Sequence, residues 1–130
     1  MLTLLPVLRR AITVTFVVAA TAACSVNATT QQTNSTSCSS GTTCSCVTSS
    51  DCSLSCPTTG CIFDCNGSGD CSFTCADGHC SANGSSAGDM TLACPGGNCT
   101  VNCGGSGDCT ITGCTTGCTC NKQGSGDCSM

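Results

Sequence analysis

Nineteen cysteines in 130 residues are the side chains of this sequence best equipped for chemistry. Thiols at that density have two outlets: disulfide cross-links in an oxidising compartment, or thiolate metal clusters. A second candidate set is acidic. Asp51, Asp70, Asp89, Asp108 and Asp127 recur every nineteen residues, and a column of carboxylates is the kind of oxygen-rich surface that takes calcium. A third set carries hydroxyls, Ser53, Ser55, Ser72, Thr74, Thr91, Thr110 and Thr112, at the same period. Which chemistry is available depends on how the backbone places these groups.

In register, the chain reads CSLSCPTTGCIFDCNGSGD over 52–70, CSFTCADGHCSANGSSAGD over 71–89, MTLACPGGNCTVNCGGSGD over 90–108 and CTITGCTTGCTCNKQGSGD over 109–127. A weaker copy fills 33–51, and 128–130 begins another. A fixed period of this length marks a solenoid of stacked coils. No helical spacing occurs from Cys38 onward. Each unit instead holds two short strands separated by Gly/Ser/Thr/Asn/Asp turns. Strand side chains alternate between faces, so Cys52-Leu54-Cys56 and Cys61-Phe63-Cys65, with their equivalents, share one face. Ser, Thr, Asn, Asp and Ile62 take the other. Folding each unit back on itself closes the apolar faces together, with Leu54 opposite Phe63, Phe73 opposite Ala82 and Leu92 opposite Val101. The expected fold is all-β: a thin two-sided parallel β-solenoid of about 19 residues per coil, stapled by disulfides, over 38–130.

With no Trp, no Tyr and three Phe, the core is one apolar pair wide. Cross-links must supply what burial does not. Cysteines flanking one turn pair as Cys56–Cys61, Cys75–Cys80 and Cys94–Cys99; those flanking the other pair as Cys46–Cys52, Cys65–Cys71 and Cys103–Cys109. Gly84 and Met90 occupy one such pair of positions, and both lack Cys together. At the less regular ends, Cys38–Cys44, Cys114–Cys118 and Cys120–Cys128 complete nine bridges. One cysteine, Cys24, is left over.

Residues 1–23 read as a signal peptide. Arg9 and Arg10 precede the apolar run Ala11–Ala23, which is too short for a helix to cross a bilayer of about 30 Å. The small residues before Cys24 resemble the lipobox of bacterial lipoproteins, with Thr21 standing where that motif has a branched aliphatic residue. The resemblance implies that Cys24 is diacylated, becomes the mature N-terminus and anchors the protein to a membrane. Residues 24–37 then form the anchor cysteine and a polar tether. The implied location is the outer membrane or cell surface of a bacterium, or the medium if acylation does not occur.

Past residue 24, Lys122 is the only basic side chain against seven acidic ones, so nucleic acid is not an expected partner. The C-x-C pairs Cys44/Cys46 and Cys118/Cys120 are similar to those of metallothioneins, but two pairs beside an export signal favour disulfides. Together, the leader and the C-x3-C-x5-C rhythm resemble uncharacterised Cys-rich repeat lipoproteins of bacteria. Thr rows on a disulfide-filled solenoid resemble beetle antifreeze proteins; that resemblance implies ice binding through the Ser/Thr rows named above. The GGSGD turns weakly resemble the calcium-binding nonapeptide of RTX β-rolls, with the Asp one residue early. That resemblance implies calcium at the Asp column; capping of the Gly-rich turns by Asp is the competing expectation.

Nothing in the chain assembles a catalytic site. Gly84-Ser85-Ser86-Ala87-Gly88 matches G-x-S-x-G but lies in a turn with no helix after it, and His79, the single histidine, sits in a turn between Cys75 and Cys80. The expected role is therefore non-enzymatic: structural or surface-interacting, with ice binding or calcium-dependent surface binding as alternatives.

Overall fold

Alternating small polar and apolar residues, interrupted every few positions by glycine-rich turns, leave the backbone no option but short strands that pair with copies of themselves. A computed structural model of the chain describes Ser25–Val26 and residues 37–130. The proposed signal peptide, Cys24 and tether residues 27–36 lie outside the described residues.

The strands are β1 (Ser25–Val26), β2 (Thr43–Cys46), β3 (Cys52–Cys56), β4 (Ile62–Cys65), β5 (Cys71–Cys75), β6 (Ser81–Gly84), β7 (Met90–Ala93), β8 (Thr100–Cys103), β9 (Cys109–Thr112), β10 (Thr119–Lys122) and β11 (Cys128–Ser129). They form two sheets, ordered β1-β2-β4-β6-β8-β10 and β11-β9-β7-β5-β3. Every pairing among β2 to β11 is parallel and offset by nineteen residues, as in Leu54↔Phe73 and Phe63↔Ala82. The fold is thus an all-β solenoid of about five turns with no helix among the described residues. Within the stretch read as a tether, β1 pairs antiparallel with β2, and Ser37 bridges to Ser55.

The interior is a single file of side chains. Leu54, Phe63, Phe73, Ala82, Met90, Leu92, Val101 and Ile111 are buried together with Cys sulfur. Phe63 stacks on Phe73 of the next strand, with ring centroids 4.6 Å apart and planes 7° from parallel. At the one place without a bridge, Met90 substitutes for it: its Cε lies 3.0 Å from where a Cβ on Gly84 would stand. A flexible thioether suits an irregular gap of that kind.

Nine disulfides join the described cysteines, as Cys38–Cys44, Cys46–Cys52, Cys56–Cys61, Cys65–Cys71, Cys75–Cys80, Cys94–Cys99, Cys103–Cys109, Cys114–Cys118 and Cys120–Cys128. Their Cα atoms are 5.8–6.4 Å apart. That is well inside the ~10 Å of sheets packed by ordinary side chains, so the coil is pinched at both turns. The fourth repeat carries its cysteine one residue late, at Cys114. Gly113, at φ 67°, absorbs the shift in a conformation that a side chain would resist.

Stacking also explains the GSGD turns. A Cβ on Gly105 would fall 1.9 Å from the carbonyl oxygen of Ser86, one coil below. Backbone there touches backbone, and no side chain fits between. Gly105→Ala is therefore expected to destabilise the protein by about 2 kcal/mol or more, through overpacking that the turn cannot relieve. The neighbouring Ser106→Ala stays within about 0.5 kcal/mol of the parent. Guanidinium unfolding of the oxidised protein measures both.

Candidate functional site

A coil filled by its own side chains leaves only its outside for contact. That outside has three regular parts: two flat sheet faces and a turn column.

The column consists of the five aspartates that end each repeat. All five are exposed. Each of the first four carboxylates accepts a hydrogen bond from the backbone N–H of the next aspartate, one coil on. The bonds run from Asp70 N–H to Asp51 Oδ1 at 3.1 Å, Asp89 to Asp70 at 2.9 Å, Asp108 to Asp89 at 2.9 Å and Asp127 to Asp108 at 2.8 Å. The carbonyl of each upper aspartate accepts from the residue after the lower one, as in Cys71 N–H to Asp89 O at 2.8 Å. The carboxylates thus cap backbone groups between coils and do not close onto their own turn. The last, Asp127, meets Lys122 Nζ at 2.9 Å. That hydrogen bond first, and the lysine charge second, hold the Asp127 carboxyl below its ordinary value. Among the described residues, no three carboxylates bring oxygens within 4.8 Å of one another. The one group of potential ligands that close, Cys56, Cys61 and Cys80, is tied up in disulfides.

On the β2-β4-β6-β8-β10 face, one of the two outward rows is bonded to itself, beside a row made of Thr43, Ile62, Ser81, Thr100 and Thr119. Asn83 donates to Asp64 Oδ1 at 2.9 Å, Asn102 donates to Asn83 at 2.9 Å, and Asn121 donates to Asn102 at 3.0 Å. This ladder of side-chain amides binds coil to coil. Strand alternation places these residues outward but does not by itself link them. The signal was present nonetheless: Asp64, Asn83, Asn102 and Asn121 stand nineteen apart, and one amide both donates and accepts, so identical residues in register can form a chain.

The opposite face, on β3, β5, β7, β9 and β11, is the one on which the candidate Ser/Thr residues come together. Register puts Ser53, Ser72, Thr91, Thr110 and Ser129 in one row, and Ser55, Thr74, Ala93 and Thr112 in the second. Neighbours along each row are one strand spacing apart, ~4.8 Å. Neither row contains a charge. Ser53, Ser55, Ser72 and Thr74 edge a shallow depression over Leu54. Apart from Thr110 with Ser129, at 3.1 Å, no ladder comparable to the amide one runs through these hydroxyls.

The serine of the G-x-S-x-G match and the single histidine both have local roles. Ser86, the serine of the G-x-S-x-G match, is buried, and its hydroxyl donates to Gly88 O at 3.2 Å. His79 adopts φ 59° and occupies the same turn position as Gly41, Gly60, Asn98 and Gly117, all with positive φ. Its N–H donates to Gly97 O at 3.0 Å. A left-handed turn position, which Asn and His tolerate better than most residues, accounts for it.

No protein-family model matches the chain, and neither a curated protein nor a solved structure does. The number of disulfides fits an extracellular, oxidising setting.

Proposed function

We propose that this is a non-enzymatic, exported protein with a structural or surface-interaction role, held to a bacterial outer membrane or cell surface by a lipid on Cys24. The observation that carries the reading is the contrast between the two faces: one has its side-chain amides bonded to each other, while the other offers an uncharged, in-register field of hydroxyls. A rigid coil with one flat face free for contact is suited to lying against something extended and not to enclosing a small molecule. Fractionation of the full chain expressed in a bacterium that acylates lipoproteins tests the anchor. It should collect with the membranes and be released by Cys24→Ser. Soluble protein with an unmodified Cys24 in the parent contradicts the anchored form.

A second reading, ice binding, is favoured by the register of the rows, which repeats hydroxyls at a constant spacing across a rigid sheet. It calls for thermal hysteresis and inhibition of ice recrystallisation by the parent, both lost in Thr74→Lys with Thr110→Lys. Absence of both in the parent dismisses it. Calcium-dependent surface binding through Asp51, Asp70, Asp89, Asp108 and Asp127 is less well supported, because four of those carboxylates already hold backbone N–H groups. A calorimetric titration with calcium showing neither heat nor thermal shift removes it.

A further inference from the structure

Fourteen of the eighteen bridged cysteines are buried; the four that are only partly so are Cys114, Cys118 and Cys120 in the last full coil and Cys128, which opens the next. Cys114 and Cys118 flank the turn Thr115-Thr116-Gly117, every residue of which is exposed. Beneath that turn the bridges of successive coils form a stack. Cys118 Sγ lies 4.0 Å from Cys94 Sγ, the near sulfur of the buried Cys94–Cys99 bridge. The same closeness recurs lower down, where Cys80 Sγ is within 4.8 Å of both sulfurs of Cys56–Cys61. The stack is a consequence of the fold: one bridge per turn and one coil per strand spacing put sulfur next to sulfur.

We propose that Cys114–Cys118 is a thiol–disulfide exchange site for small external thiols, and that Cys118 passes the exchange inward to Cys94. A thiolate RS⁻ attacks Cys114 Sγ. The Cys114–Cys118 bond breaks, RS–S–Cys114 forms, and Cys118 leaves as a thiolate. Cys118 then attacks Cys94 Sγ; the Cys94–Cys99 bond breaks, Cys94–Cys118 forms, and Cys99 departs as a thiolate that takes up the proton lost by the incoming thiol. No net electrons are gained or lost, and the only co-reactant is the external thiol. At 4.0 Å the two sulfurs are in van der Waals contact, about half an ångström beyond the ~3–3.5 Å of a reacting pair. Freeing Cys118 from its own bridge supplies that movement. Exchange depends on access to the attacked sulfur, and the fourteen buried cysteines lack it.

The test uses the native oxidised protein with glutathione as the thiol at neutral pH, followed by acid quench, alkylation with N-ethylmaleimide and mapping of peptic peptides without reduction. The expected products are glutathione on Cys114, a Cys94–Cys118 cross-link and maleimide on Cys99. Glutathione on Cys114 with maleimide on Cys118, and Cys94–Cys99 intact, overturns the inward step. Adducts spread over the buried bridges overturn the site itself, as does a complete lack of adduct. In the double variant Cys114→Ser, Cys118→Ser, adducts on cysteines other than the partly exposed Cys120 and Cys128 should fall roughly tenfold or more, as exchange limited by access requires; an unchanged level of those adducts overturns the proposal.

Discussion

Reduction of the nine disulfides abolishes the fold: the reduced and alkylated chain should show a coil-like circular dichroism spectrum at 25 °C and no cooperative melting transition. The reason lies in the width of the interior. Leu54, Phe63, Phe73, Met90, Leu92, Val101 and Ile111 form a file one side chain deep, and much of the remaining buried surface is cystine. Each bridge closes a loop of four to eight residues, worth roughly 2 kcal/mol in a chain-entropy treatment. Allowing for incomplete additivity, the nine together are worth on the order of 10–20 kcal/mol, as much as the whole stability of an ordinary domain. The aspartate column and the amide ladder cannot stand in for them, because each of their bonds adds only about 1 kcal/mol. A reduced protein that keeps its sheet signal and melts cooperatively would show that the apolar file suffices alone.

The second large effect belongs to the place where that file is widest. Phe63→Ala should cost about 3–5 kcal/mol in guanidinium unfolding of the oxidised protein. Phe63 is fully buried and stacked on Phe73, and the bridges at both ends of its strand hold the backbone in place, so the cavity cannot collapse. Its neighbour Ile62 points outward and is exposed, so Ile62→Ala should stay within about 0.5 kcal/mol of the parent. The pair of variants separates burial from β propensity, since both residues lie in β4 and both changes remove a good strand former. Equal effects at the two positions would contradict the assignment of faces.

Much of this architecture is legible in the residues. The period comes from Cys and GSGD, the faces from strict alternation, and the two-sheet coil from the need to close an apolar face that a single flat sheet would leave wet. The joint absence of Cys at Gly84 and Met90 is legible as well, and the structure adds its cause: the methionine fills the gap. Other features depend on how one coil sits on the next, which a single repeat does not encode. The stacking of Phe63 on Phe73 is set by the stagger between the two sheets, hence by turn length. The aspartate carboxylates reach a backbone N–H one coil away because both turns are flat enough for backbone to touch backbone at Gly105. His79 is legible as a turn residue, and the repeats compared at that position add the reason, since Gly41, Gly60 and Gly117 reveal a demand for positive φ. The amide ladder is encoded only in the nineteen-residue spacing of Asp64, Asn83, Asn102 and Asn121, because Asn on an outward face otherwise looks like ordinary solvation.

For function, the two faces of the coil differ in one respect that composition hides. Both are small and polar, but one carries a self-bonded amide row through Asn83, Asn102 and Asn121 beside its single Ser/Thr row, while the other has two hydroxyl rows with one bond in them, Thr110 to Ser129. The rows, the aspartate column and the sulfur stack all follow from one coil geometry, and that geometry stands or falls with the pairing of the cysteines.

The most direct test is therefore the intact mass of the mature protein, taken after alkylation with and without prior reduction. The account predicts no alkylated cysteine before reduction, eighteen after it, and a diacyl mass increment that leaves Cys24 unreactive throughout. Free thiols in the unreduced body, or a Cys24 that alkylates like the rest, would contradict it.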